Sequence, residues 1–118
     1  MSAQDSAAVI EVEPERVARW MTESPSAQVI DVREPYEREA GHIAGSRHIE
    51  LVKLSAQADT IERERPVIFY CRVGSRSAMA AKALRGAGFE AYSMAGGLVR
   101  WDREGRALSP EGGEVAGH

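Results

Sequence analysis

Apolar residues in this chain alternate between short β-favouring runs and stretches with helical spacing. Ala8-Val9-Ile10-Glu11-Val12 opens as a strand. Pro14 suits the first position of a helix whose inner face carries Val17, Trp20 and Met21 at i, i+3, i+4. Ser24-Pro25-Ser26 ends it. Val29-Ile30-Asp31-Val32 is apolar almost throughout, as a strand covered on both faces should be. The stretch Gly41 to Ser46 reads as loop, followed by a short strand near Arg47 to Ile49. Leu51, Leu54 and Ala58 then suggest a helix. Pro66-Val67-Ile68-Phe69-Tyr70 is the clearest buried strand. It leads through Cys71 into an alanine-rich helix from about Ser75 to Ala87, with Ala80, Leu84 and Ala87 at i, i+4, i+7 and a stop at Gly86 or Gly88. A strand over Glu90 to Met94 and a short helix over Gly97 to Arg103 complete the pattern. Strands separated by helices of this length predict an α/β domain, a parallel sheet with helices on both faces. The single domain spans residues 1–108, and residues 109–118 read as a mobile tail with little to pack.

Composition changes this picture little. With 118 residues, 43% of them hydrophobic and 28% charged, the chain fits one globular domain that needs no disulfide or metal staple. A net charge of −3 argues against nucleic acid as a partner. No apolar run approaches the roughly 18 residues of a membrane helix, and residues 1–6 lack a secretory signal pattern. One cysteine cannot form an internal disulfide, and His42, His48 and His118 show no metal-ligand spacing. The expectation is a cytoplasmic monomer without metal or cofactor.

The cysteine carries the candidate chemistry. In parallel α/β sheets ligands bind where strands end and turn into helices, and Cys71 stands at such a turn. If the loop Cys71-Arg72-Val73-Gly74-Ser75-Arg76 curls, its N–H groups point inward and the following helix adds positive potential. Gly74 can take a positive φ, and Arg72 and Arg76 place two cations within five residues of the sulfur. All of these favour a thiolate, so the sulfur is expected to be anionic and open to solvent. The competing structural readings are a buried cysteine acting as a small hydrophobe, and arginines that are merely solvated.

Four segments in order resemble the rhodanese family. They are Val29-Ile30-Asp31-Val32-Arg33-Glu34-Pro35-Tyr36-Glu37, Gly41-His42-Ile43-Ala44-Gly45-Ser46, Tyr70-Cys71-Arg72-Val73-Gly74-Ser75-Arg76-Ser77 and Gly96-Gly97-Leu98-Val99-Arg100-Trp101. Ser46 stands where that family often has alanine, and Glu50 where a proline often follows the short strand. The resemblance implies a five-stranded parallel sheet and a sulfurtransferase in which Cys71 becomes a persulfide. It makes Arg76 the matching catalytic arginine and gives Arg72, Val73, Gly74, Ser75 and Ser77 to substrate binding. The implied partners are a small anionic sulfur donor such as thiosulfate and an acceptor that is cyanide, a thiol or a protein. Asp31, Arg33 and His42 read as structural support, with Asp31 and Arg33 bracing loops. A non-catalytic binding module is the alternative, and a cysteine-dependent phosphatase a further one. Phosphatases of that kind place five residues between cysteine and arginine, whereas this loop supplies four.

Overall fold

The structure, a computed structural model, describes residues 10–23 and 27–117. Strands β1 (Glu11–Val12), β2 (Gln28–Asp31), β3 (Arg47–His48), β4 (Val67–Tyr70) and β5 (Ala91–Met94) form one sheet in the order β1-β5-β4-β2-β3. Every pairing is parallel, with Asp31 opposite Tyr70 and Phe69 opposite Ser93. The helices are α1 (Pro14–Glu23), α2 (Pro35–Ala40), α3 (Leu54–Gln57), α4 (Ser75–Gly86) and α5 (Gly97–Arg103). This is the expected five-stranded α/β architecture. The N-terminal strand begins at Glu11; Ala8, Val9 and the break at 24–26 lie outside the described residues.

The central strand β4 shows why the sheet is covered twice. All four of its residues are buried, and their side chains alternate between two cores. Val67 and Phe69 face Leu54, Ile61, Ala80 and Leu84, beneath α3 and α4. Ile68 and Tyr70 face Val17, Leu98 and Trp101, beneath α1 and α5. Cys71 continues the alternation and joins the α4 side.

Three segments differ from the sequence reading. Helix α2 has no counterpart in it, because six residues hold too little apolar periodicity. Its signal is local instead: Pro35 at the start, and Glu37 reaching back to accept the Glu34 N–H at 3.0 Å. Where one helix was expected across Leu51 to Ala58, two 3-10 turns (Leu51–Lys53 and Ala58–Thr60) flank the single turn of α3. Neither Glu50 nor Lys53 supplies a side-chain cap there, and only Leu54 is buried between 51 and 60. Finally, the segment after Leu108 does not run free of the body. His42 and Ser109 exchange backbone bonds at 2.9 and 2.7 Å, and Glu114 N–H donates to Ala40 O at 2.8 Å. Leu108 and Val115 pack on the α1/α5 core. Backbone-to-backbone docking of this kind leaves no mark in side-chain composition. Among the described residues no helix is long and apolar enough to cross a membrane.

Gly41 creates the seat for that segment, since a Cβ there would stand 2.4 Å from Glu114 O. Gly41→Ala is therefore expected to force the two backbones apart, at a cost of about 1–3 kcal/mol from lost hydrogen bonds and packing. Hydrogen exchange should show faster exchange at the Glu114 amide, with a lowered urea midpoint.

Candidate active site

Strand β4 delivers Cys71 to the carboxyl edge of the sheet, and the chain turns at once into α4. Gly74 makes the turn possible. Its φ of 114° lies in the region glycine adopts without a side-chain clash, and it caps the start of α4. The turn swings the Gly74 N–H onto Cys71 Sγ at 3.0 Å and the Ser77 N–H onto the same sulfur at 3.4 Å. Ser77 Oγ stands 3.5 Å from Sγ, 2.7 Å from Ser93 Oγ and 3.2 Å from Gly74 O. Amide donors converging on one sulfur stabilise negative charge there.

Helix α5 holds the other side of the loop. Leu98 N–H donates to Cys71 O at 2.8 Å and Val99 N–H to Arg72 O at 3.0 Å. In a trans peptide the C=O and N–H point opposite ways, so these bonds turn the N–H groups of Arg72 and Val73 away from α5. Contact this close needs Gly97, where a Cβ would lie 2.4 Å from Arg72 O. Among the described residues, the N–H groups of Arg72, Val73, Ser75 and Arg76 take part in no backbone hydrogen bond. Four donors of the turn thus keep no backbone partner.

One expectation is overturned. Cys71 and Ser77 are fully buried, so the sulfur is not open to solvent. Burial and amide contact coexist because the side chain follows the strand alternation inward, against Phe69 and Ala80, while the turn folds back over it. Val73 and Ser75 are exposed. Arg72 is half-buried, and its Nε is buried with no partner.

Arg76 lies at the start of α4 with its guanidinium forked onto Glu37, at 2.8 Å to Oε1 and 3.0 Å to Oε2. Those bonds, against an opposing desolvation and with further help from Glu37 and the nearby Cys71 sulfur, raise its already high pKa. Glu37 is fully buried. Burial by itself would raise its pKa, but the Arg76 fork, the Glu34 N–H and the Arg33 charge outweigh that and hold the carboxyl below its ordinary 4.5. Sequence reasoning assigned Glu37 no role. The signal that could have found it is a glutamate three residues beyond Glu34 and two beyond Pro35, where a capping carboxylate belongs.

Asp31, Arg33 and His42 sit behind the loop. Arg33 Nε and Nη2 fork onto the two Asp31 oxygens at 2.8 Å each, and Nη2 also reaches Gly41 O at 2.8 Å. Tyr70 OH donates to Asp31 Oδ2 at 3.2 Å and accepts from the Ile43 N–H at 3.0 Å. Burial first, and the Asp31 charge second, push the phenol up to about 12. Ser46 donates to Ile43 O at 2.6 Å, lies 3.0 Å from Tyr70 OH and accepts from Arg38 Nη1 at 3.2 Å. The hydroxyl that replaces the family's usual alanine is therefore fully engaged. His42 Nδ1 faces Arg38 O at 3.1 Å, a turn contact. These residues hold the 41–46 loop in place and do not touch the sulfur. Among the described residues no group of three or more His, Cys, Asp or Glu could hold a metal ion.

Comparison with known proteins agrees with this arrangement. The sequence pattern of the rhodanese-like domain matches residues 13–104. The chain is 40% identical over 94 residues to uncharacterized protein YqhL of Bacillus subtilis, covering 74% of this chain and 75% of that one. It is 39% identical over 79 residues to thiosulfate sulfurtransferase GlpE of Ectopseudomonas mendocina, covering 66% and 72% respectively. A rhodanese-related protein of Thermoplasma volcanium superposes with a TM-score of 0.79 at 29% identity, over 86% of this chain and 98% of its own. With its parallel sheet, its cysteine loop and a match across most of its length, the chain belongs to the rhodanese-like domain family.

Proposed function

We propose that this protein is a sulfurtransferase that carries a sulfane sulfur on Cys71, taken from a small anionic donor such as thiosulfate. The observation that carries the reading is the pair of amides on Sγ, from Gly74 and Ser77, beside further N–H groups with no backbone partner. In the first step the Cys71 thiolate attacks the outer sulfur of thiosulfate. A new S–S bond forms, the old one breaks, and its electron pair leaves with sulfite. In the second step an acceptor thiolate or cyanide takes the outer sulfur and returns the electron pair to Cys71. Neither step needs a general base, because attack on sulfur requires only an ionised nucleophile and a good leaving group. The outer sulfur extends about 2 Å beyond Sγ, so the free amides of the loop are within its reach.

The roles of the two arginines separate on this reading. Arg76 is committed to Glu37 and fixes the junction of loop and helix, lending its charge from the side. Arg72, with an unpartnered Nε, is the cation available to an incoming anion. Val73, Gly74, Ser75 and Ser77 contribute backbone to the cradle. A phosphatase would need its loop arginine free to grip phosphate oxygens, and the Glu37 fork disfavours that. The lone cysteine suits a reducing, cytoplasmic setting, and the chain is taken to act as a monomer.

Incubation with thiosulfate is expected to add one sulfur atom to the intact protein, seen by mass spectrometry, and subsequent cyanide to release thiocyanate. Cys71→Ser should abolish both. Failure of the parent protein to gain sulfur from any sulfane donor, or retention of activity in Cys71→Ser, would end the proposal.

Glu37 offers a second test. Its carboxyl is held below 4.5 in the folded protein, so its contribution to stability is complete above that value. The contribution is lost as pH falls through the depressed folded value. Glu37→Gln removes the charge of the fork from a half-buried Arg76, and about 1.5–3 kcal/mol should be lost at neutral pH. Urea midpoints measured from pH 7 down to 3 should fall less steeply in this variant than in the parent.

A further inference from the structure

Among the described residues the buried polar side chains are Asp31, Arg33, Glu37, Ser46, Ser77 and Ser93. All but Ser93 have tasks in the ion pairs, the 41–46 loop or the cysteine turn. Ser93 lies in β5 opposite Phe69, so its side chain shares the face of Ala91 and of the apolar cluster around Cys71. A fully buried hydroxyl stands there where alanine would pack without a polar penalty. Its side-chain partner is Ser77 Oγ at 2.7 Å, and that oxygen is 3.5 Å from Cys71 Sγ.

Counting protons fixes the direction of this chain, since each hydroxyl has one to donate. If Ser77 donated to Ser93, the Ser93 proton would be left in the apolar cluster without an acceptor, an unfavourable buried group. If Ser93 donates to Ser77, both protons are used. Ser77 can then give its own to Gly74 O at 3.2 Å or to Sγ at 3.5 Å. Gly74 O already accepts the Ala78 N–H at 3.0 Å and does not depend on the hydroxyl.

The state of the sulfur decides between the two acceptors. A thiol keeps its proton and is a weak acceptor, so Ser77 turns to Gly74 O. A thiolate only accepts, and a hydrogen bond to an anion is about twice as strong as one to a neutral carbonyl. The Ser77 proton then joins the Gly74 and Ser77 amides on Sγ.

We propose that Ser93 is a positioning residue for sulfur transfer: its hydroxyl donates to Ser77 and thereby directs the Ser77 proton to the Cys71 thiolate. The step it serves rests on the sulfurtransferase reading. There the thiolate attacks the outer sulfur of thiosulfate, one S–S bond forms, the other breaks, and its electron pair leaves with sulfite. The negative charge of the protein moves from Sγ to the outer sulfur, about 2 Å away. Ser77 loses its anion and returns to Gly74 O. The two serines thus favour thiolate over persulfide, which makes Cys71 the better leaving group when an acceptor takes the sulfur.

Ser93→Ala, Ser77→Ala and the double variant test this. The double variant removes both hydroxyls and leaves neither unpaired, so it is expected to fold. Arg76, whose charge reaches the sulfur, its partner Glu37 and the loop's Arg72 are the same in all of them. Read against Cys71→Ser, the ultraviolet band of the thiolate should develop at higher pH in Ser93→Ala than in the parent, and at higher pH still in Ser77→Ala. The double variant should match Ser77→Ala, because Ser93 acts through Ser77. Above those pH values, incubation with thiosulfate and sulfite at a fixed ratio, followed by intact mass spectrometry, gives the ratio of persulfide to thiolate. That ratio should rise about threefold in Ser93→Ala and about tenfold in Ser77→Ala, with no further rise in the double variant. An unmoved band in Ser93→Ala overturns the proposal, and so does a Ser93→Ala effect of equal size when Ser77 is already alanine. A lowered urea midpoint in Ser93→Ala with both readouts unmoved would make Ser93 a packing residue and overturn it too. If the parent gains no sulfur from thiosulfate, the sulfurtransferase reading fails instead, while the thiolate band still decides for or against Ser93.

Discussion

The geometry of this protein depends on the turn from Cys71 to Ser77 being held so that two of its amides, those of Gly74 and Ser77, meet one sulfur. A thiol side chain leaving a buried strand would otherwise end in apolar packing, as free cysteines commonly do. Here Gly74 takes a left-handed conformation and α5 grips the carbonyls of Cys71 and Arg72. With those carbonyls drawn toward α5, the N–H groups of Arg72 and Val73 turn away from it, while those of Gly74 and Ser77 meet the sulfur. Two glycines, Gly74 and Gly97, make the arrangement sterically possible, and Gly74 also supplies one of the amides that meet the sulfur. Anion stabilisation by fixed backbone dipoles has the further property of requiring no reorganisation when charge develops.

Charge is distributed behind that turn in two ion pairs with separate tasks, one fully buried and one with its arginine half-buried. Glu37 and Arg76 tie α2 to the start of α4, while Asp31 and Arg33 tie the end of β2 to the 41–46 loop. Buried ion pairs contribute little net stability when the cost of leaving water is counted. Their effect is to define which loop meets which helix, because a guanidinium fork accepts few geometries. Pairing also leaves the loop with a simpler electrostatic character than its sequence suggests. Of its two arginines, Arg76 is forked onto Glu37 and Arg72 keeps a buried Nε with no partner.

The alternation of β4 decides which face of the sheet the sulfur joins. Because Cys71 follows Phe69 toward α4, the sulfur shares one apolar cluster with Ala80, Ala81 and Leu84 of that helix. Tyr70, one residue earlier, points the other way and serves the Asp31–Arg33 brace instead. Chemistry and support thus lie on opposite faces of one strand, separated by a single residue. The C-terminal segment adds to the supporting side, where it lies against Gly41 and His42.

How far the sequence reached follows from the range of each interaction. Strand and helix positions were legible because they depend on neighbours within a few residues: the apolar run at 67–70, the i, i+4 spacing in α4, the proline at 14. The place of Cys71 at a strand-to-helix turn was legible for the same reason. Helix α2 escaped because its markers, Pro35 and the capping Glu37, carry no apolar periodicity, and the docked segment after 108 escaped because backbone bonds carry no side-chain signature. Only the tertiary structure decided that Arg76 belongs to Glu37, that the sulfur is buried, and that the segment after Leu108 docks beside Gly41. Each of those is a meeting of residues distant in the chain, set by the parallel sheet that brings the strand ends together, and no local pattern encodes it.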